Sequence, residues 1–107
     1  MNTLASKSPT SVVNVETDET HLTVFLNDGR RISVPLEWYP RLYYGTVKER
    51  KDWRPFGFEN RAIAWDSLDE HISVEGLLDG RPSSESPQSI QRWLMSRGQK
   101  HENELTV

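Results

Sequence analysis

The acidic run at residues 66–71 contains the residue types best suited to chemistry. Its carboxylates and imidazole belong to Asp66, Asp69, Glu70 and His71. A carboxylate in such a run can act as a general base, or three oxygens and an imidazole can hold a divalent metal. However, Asp66 follows a predicted strand, where Asp side chains commonly accept hydrogen bonds from turn amides. Leu68 and Ile72 flank these residues as expected core anchors, and no second cluster supplies a nucleophile or further ligands. We therefore predict a structural role for this run.

The other residues capable of chemistry form no pattern typical of an enzyme. His21 begins a predicted strand and His101 lies near the C-terminus, and neither has a Cys or His at the spacing of a zinc site. No serine lies in a Gly-x-Ser-x-Gly nucleophile elbow, and the glycines do not form a phosphate-binding loop. We therefore expect a non-enzymatic protein with no catalytic residue, no metal and no cofactor.

A short basic segment is the candidate surface for nucleic acid. Its cations are Lys48, Arg50, Lys51 and Arg54. Together with Trp53 they could bind a phosphate backbone and stack one base. The alternative is a solvated helix in which Glu49 and Asp52 separate the cations and Trp53 lies in the core. The net charge of −3 argues against a general nucleic-acid binder, so nucleic acid ranks below a protein partner.

A polar spacer at residues 81–85 precedes the clearest helical pattern in the chain. Ser86 is the expected N-cap, Pro87 suits the first helical position, and Gly98 is the expected end. One face of this amphipathic helix carries Ile90, Trp93, Leu94 and Arg97. If exposed, this stripe would bind a partner protein or a second copy of the chain, with Trp93 as an anchor. If docked, it would complete the core, and the sequence leaves both alternatives open.

The element on which the fold depends is a hairpin at residues 21–36. Two alternating apolar runs flank the tripeptide Asn27-Asp28-Gly29. A two-residue turn would place the two apolar sets on opposite faces of the hairpin. A three-residue loop, with Gly29 in the left-handed region, pairs Val24 with Ile32 and buries one common face. We therefore predict the three-residue loop.

Two further groups of strands are expected around this hairpin. Residues 11–16 alternate and predict a first strand, which completes a three-stranded antiparallel meander. Residues 53–65 predict a second pair of strands, followed by an acidic connection at residues 66–72. Val13 and Val15 are expected on one side of the first strand, and Phe56 and Phe58 on one side of a strand in the later pair.

Short helices fill the remaining gaps in this α+β pattern. Residues 37–52 predict two helices, the second begun by a capping box of Thr46 and Glu49. Ser73 is expected to cap a further helix at residues 74–78. The predicted class is therefore α+β, with a meander, short helices, a second strand pair and the C-terminal helix.

The length of 107 residues suits one domain. We expect a disordered N-terminus at residues 1–10, a compact α+β domain at 11–80, the spacer and C-terminal helix at 81–98, and a frayed tail at 99–107. The sequence has no cysteine, no signal-peptide pattern and no apolar run near the ~20 residues of a membrane span. These features predict a soluble cytoplasmic protein that does not contact membranes.

Through three motifs, the chain resembles a small bacterial family catalogued as a domain of unknown function, number 2442. They read Phe25-x-x-Asp28-Gly29-Arg30, then Val34-Pro35-Leu36-x-Trp38-Tyr39-Pro40-Arg41-Leu42, then Ile63-x-Trp65-x-x-Leu68-Asp69-Glu70-x-Ile72-Ser73-Val74-Glu75-Gly76-Leu77-Leu78-x-Gly80. The resemblance runs from about residue 11 to 81. His71 departs from the pattern, because relatives usually carry an acidic residue at that position, and the segment 53–60 lacks their Gly-rich run.

The resemblance implies a compact α+β domain with a partner. Similar proteins are often encoded beside a second small protein, in arrangements that resemble toxin–antitoxin pairs. Some relatives carry a helix-turn-helix domain after this unit, whereas here one helix and a short tail follow residue 81. The family has no established catalytic residues to transfer. Our first hypothesis is therefore a non-enzymatic protein-interaction module that binds a nearby-encoded partner or itself.

Overall fold

A computed structural model describes residues 10–106, with side chains described as far as residue 98. This part of the chain forms two three-stranded antiparallel sheets and four α-helices. The strands are β1 (Val12–Thr17), β2 (His21–Leu26), β3 (Arg31–Pro35), β4 (Arg54–Phe56), β5 (Ala62–Trp65) and β6 (Glu70–Ser73). The helices are α1 (Pro40–Tyr43), α2 (Val47–Lys51), α3 (Val74–Leu78) and α4 (Pro87–Thr106). The predicted α+β class is confirmed.

The hairpin formed by β2 and β3 has the predicted register. Val24 pairs with Ile32 and Leu22 pairs with Val34. Gly29 has φ +94° in the loop, which is the left-handed conformation that glycine adopts at little cost. The three-residue loop therefore places both apolar sets on one buried face, as the pattern required.

The inward face of β1 differs from the prediction. Val12 and Val15 are buried, whereas Val13 is 57% exposed. A register shift between Val12 and Asn14 inserts one extra residue into β1. Such a bulge reverses the alternation on its far side, so a strict period of two assigned the wrong face to Val13.

The second sheet contains three strands rather than the predicted pair. Its order is β4-β5-β6, and Ile63 pairs with Ile72 across β5 and β6. The acidic connection therefore ends at Asp69, and Glu70 already belongs to β6. Asp69 has φ +53° after a short 3₁₀ turn at Asp66–Leu68, which reverses the chain within four residues. Because β6 is only four residues long, its alternation was too short to detect in the sequence.

Strand β4 ends two residues earlier than its apolar pattern suggested. Phe56 is the last strand residue, and Gly57 at φ +83° turns the chain away. Phe58 then lies in a 3₁₀ turn at Phe58–Asn60. The prediction that Phe56 and Phe58 share a strand face is therefore wrong.

The predicted helix starts are confirmed by side-chain caps. Thr46 accepts a hydrogen bond from the Glu49 amide, while the Glu49 carboxylate accepts one from the Thr46 amide, which completes the capping box of α2. Ser73 caps α3 through the Gly76 amide at 2.9 Å. These local signals identify helix starts because they depend on neighbouring residues alone.

Helix α4 begins as predicted and continues beyond its predicted end. The Ser86 hydroxyl accepts a hydrogen bond from the Ser89 amide at 3.1 Å, and Pro87 is the first helical residue. The helix runs through Gly98 to Thr106. A glycine inside a helix costs only about 1 kcal/mol relative to alanine, so Gly98 does not by itself end the helix. Fraying of residues 99–107 stays a prediction, and the predicted disorder at residues 1–9 lies outside the described residues.

The core lies between the two sheets and the short helices. Trp65 is fully buried, and its indole N–H donates to the Arg50 carbonyl at 3.0 Å. Trp53 and Trp93 are partly buried and pack against this core. In the described part of the chain, no helix is long and apolar enough to cross a membrane.

Candidate functional site

The acidic run does not form one cluster. Asp66 forms a bidentate ion pair with Arg54, at 2.7 and 3.2 Å, which lowers the pKa of that carboxyl. His71 is exposed on β6 and stacks on Phe56 with 4.5 Å between ring centroids. Among the residues that the structure describes, no three His, Cys, Asp or Glu side chains are placed to hold a metal ion. The described residues therefore offer no metal-binding group in this run.

The basic segment is divided between structural and free cations. Arg50 donates to the main-chain carbonyls of Leu42 and Gly45, at 3.1 and 2.7 Å, and so holds α2 against the end of α1. Arg54 is paired with Asp66. Of the four predicted cations, Lys48 and Lys51 are exposed and form no ion pair with another described residue.

The negative charge of Glu49, which lies between those lysines in the sequence, is paired with a cation of α4. Its carboxylate forms a bidentate pair with Arg97 of α4, at 2.9 and 3.1 Å. Hydrogen bonds from Arg97, then from the Thr46 amide, lower the pKa of Glu49 to about 2. Nearby, Tyr43 and Tyr44 are about half exposed and meet edge to face. Lys51 lines a cleft together with Asp18 and Glu19.

The amphipathic stripe on α4 is docked against the domain. Ile90 is 8% exposed, and Trp93 is partly buried between two guanidinium groups. Arg41 lies 5.1 Å and Arg97 lies 4.6 Å from the Trp93 ring centroid, within cation–π range. Leu94 is also partly buried. Of the two alternatives left open by the sequence, docking is the one observed, so Ile90 and Trp93 are not free for a helix-in-groove partner.

The spacer at residues 81–85, which we call the strap, holds α4 in place. The Tyr39 hydroxyl donates to the Arg81 carbonyl at 3.0 Å, and the Ser83 amide donates to the Trp38 carbonyl at 3.0 Å. Glu85 forms a bidentate pair with Arg41 at 2.9 and 2.7 Å. The strap is therefore a fixed part of the domain rather than a flexible linker.

A cleft of about 440 Å³ lies between the strap and β6. Its wall includes Tyr39, Ser73, Ser84 and the partly buried carboxyl of Glu70. Burial and the nearby charge of Glu85 raise the pKa of Glu70 to about 7. The sequence suggested no special environment for Glu70, because both the strap and β6 are needed to create it.

The most exposed large apolar side chain of the described residues is Phe58, at 82%. It lies in the β4–β5 turn, where Gly57, Glu59 and Asn60 all have positive φ, at +83°, +55° and +55°. Such angles are uncommon for residues other than glycine, and they are often found where function requires strain. Sequence reasoning missed this surface because it placed Phe58 in a strand, although Gly57 and Asn60 are both turn formers.

Comparison with solved structures supports the fold. A protein of unknown function from Rhodospirillum rubrum, known from a crystal structure, aligns with TM-score 0.62 and 18% identity over 73% of this chain and 95% of that one. An uncharacterised protein from Chromobacterium violaceum, solved by NMR, aligns with TM-score 0.60 and 20% identity over 78% of this chain and 76% of that one. These likenesses establish a shared fold.

Comparison with sequences identifies the family. None of the curated proteins matches the chain. The family model described as protein of unknown function (DUF2442) matches residues 12–83, from the first strand into the strap. All three resembling motifs lie within that match, which confirms the resemblance. The chain therefore belongs to the DUF2442 family of proteins of unknown function.

Proposed function

We propose that the chain is a cytoplasmic, non-enzymatic protein-interaction module that binds a second small protein, as in a toxin–antitoxin-like pair. The observation that carries this proposal is Phe58, held outward at 82% exposure on a strained turn. Aromatic side chains on rigid supports are the usual anchors of protein interfaces, because little conformational entropy is lost on binding.

The turn that bears Phe58 is fixed to the rest of the domain. The Asn60 amide donates to the Gly57 carbonyl at 3.1 Å, and the Val74 amide donates to the Arg61 carbonyl at 2.9 Å. Strand β5 then leads directly into the buried core at Ile63. Phe58 is therefore presented without support from a partner, at a position where burial of its ring would contribute binding energy.

Phe58→Ser is expected to abolish binding to the protein encoded beside this gene while leaving the fold intact. The wild type, co-expressed with that product, should co-elute in size-exclusion chromatography, and the variant should elute alone. Because the side chain is almost fully exposed, the urea midpoint should change little.

Val13→Ser is the matched control, because Val13 is also an exposed apolar residue but lies on the bulge of β1. It should leave co-elution unchanged. If Phe58→Ser retains the complex at wild-type affinity, Phe58 is not the anchor. If the wild type fails to bind the neighbouring product but self-associates through Phe58, the partner is a second copy of the chain.

Nucleic-acid binding is a second candidate, favoured by Lys48 and Lys51, which are exposed and form no ion pair with another described residue. Lys48→Glu with Lys51→Glu is expected to abolish any retardation of single-stranded DNA or RNA in a gel, because both phosphate contacts and steering are lost. Arg31→Glu with Arg92→Glu changes the net charge equally at other exposed positions and is the control. Absence of wild-type retardation at low salt would contradict this candidate.

A further inference from the structure

One guanidinium group on α1 is surrounded by three carboxylates. The Arg41 side chain pairs with Glu85 at 2.7 Å and lies 3.9 Å from the Asp69 carboxylate. A further donor of the same group goes to the Leu68 carbonyl at 3.2 Å. The pair with Glu85 is largely buried, with side chains 15% and 17% exposed. Three of the five N–H donors of Arg41 are used in these bonds, and none of them goes to Glu70.

Glu70 is the uncompensated member of this group. Its carboxyl is partly buried and forms no hydrogen bond or ion pair with any other described residue. The charged and titratable groups around it are Arg41, Asp69, Glu85, Tyr39, His71 and Arg81. Burial, and then the charge of Glu85, raise the pKa of Glu70 to about 7, although Arg41 acts in the opposite direction. Glu70 therefore changes charge near neutral pH.

Glu85 of the strap connects this group of charges to α4. Glu85 accepts a hydrogen bond from the Ser89 hydroxyl in the first turns of α4 as well as from Arg41. Arg41 also faces the ring of Trp93 at 5.1 Å. Weakening of the Arg41–Glu85 pair would thus disturb two contacts of α4 at once.

We propose that Glu70, Arg41 and Glu85 form a proton-controlled latch for the strap and α4. With Glu70 protonated, Arg41 is committed to Glu85 and the strap is firmly held. With Glu70 ionised, its negative charge repels Glu85 and competes for Arg41, which loosens the strap and the first turns of α4. This inference is independent of the protein-interaction role.

The direction of the pH effect follows from the raised pKa. Between pH 4.5 and about 7 the folded chain binds more protons at Glu70 than the unfolded chain does. The contribution of Glu70 to stability is therefore greatest below that window, falls as pH rises through it, and is constant above it. Glu49 acts outside this window, because its pKa is lowered to about 2 and its contribution is lost only as pH falls below 4.5.

The experiment is an NMR titration of the Trp93 indole N–H from pH 5 to pH 8.5, assigned with a Trp93→Phe variant. The wild-type signal should shift with a midpoint near pH 7, and Glu70→Gln should lose that titration. The urea midpoint of the wild type should fall between pH 5 and about 7 and then level off, and that of Glu70→Gln should fall less. His71→Gln should retain the shift, because His71 stacks on Phe56. The latch is overturned if the Trp93 signal does not titrate, if Glu70→Gln keeps the midpoint, or if His71→Gln removes it.

Discussion

Trp65→Ala is expected to lower the free energy of unfolding by about 3–5 kcal/mol. The indole is fully buried between the sheets, and its N–H donates to the Arg50 carbonyl at 3.0 Å. Removing the ring leaves a cavity, and it also leaves a carbonyl without its donor, at the point where α2 meets the second sheet. Small domains have net stabilities of about 5–15 kcal/mol, so this one change removes a large fraction of the total. Urea denaturation followed by circular dichroism measures the loss.

Trp65→Phe separates the two contributions. It keeps much of the apolar volume and removes the indole donor, so its cost should be clearly smaller than that of alanine. Leu78→Ala, at an exposed position, should change the unfolding free energy by less than about 0.5 kcal/mol. A loss below about 1 kcal/mol for Trp65→Ala would contradict its central place in the core.

Arg41→Ala is expected to be the second most damaging change, with a loss of about 2–4 kcal/mol. The substitution leaves Glu85 without its bidentate partner and removes the positive charge that lowers the pKa of Glu70. It also removes one of the two cations that face Trp93. The expected loss lies below that of fully buried pairs because both side chains keep some exposure. The same urea denaturation, at pH 7.5, measures it.

Release of α4 is the second readout for Arg41→Ala. Trypsin should cleave after Arg92 faster in the variant than in the wild type, because undocking exposes the helix backbone. Arg30→Ala is the matched control, since its pair with Asp28 lies at the surface, with side chains 54% and 42% exposed. Exposed pairs contribute about 0–1 kcal/mol, so this control should unfold and digest like the wild type. Equal effects of the two arginine substitutions would refute the assigned role of the strap.

The sequence alone determined the features that depend on near neighbours. The loop at Gly29 indicated the register of β2 and β3, because a two-residue turn would place the two apolar sets on opposite faces. The caps at Thr46, Ser73 and Ser86 fixed the starts of three helices through bonds to amides three residues later. The family motifs were likewise readable as linear patterns, and the family model covers them.

Tertiary structure decided which charged and aromatic residues are free to act. Three residues read as exposed charges in the sequence but have partners in the fold. Arg50 donates to a main-chain carbonyl, Arg54 pairs with Asp66, and Glu49 pairs with Arg97. The sequence pattern placed Phe58 in a strand on the same side as Phe56, whereas its ring lies in solvent outside the strand. The physical reason is that an ion pair or a buried ring depends on partners far along the chain, such as Arg97 for Glu49, 48 residues away. Local pattern specifies what a residue can do, whereas the folded environment specifies whether its charge, its donor or its ring is still available.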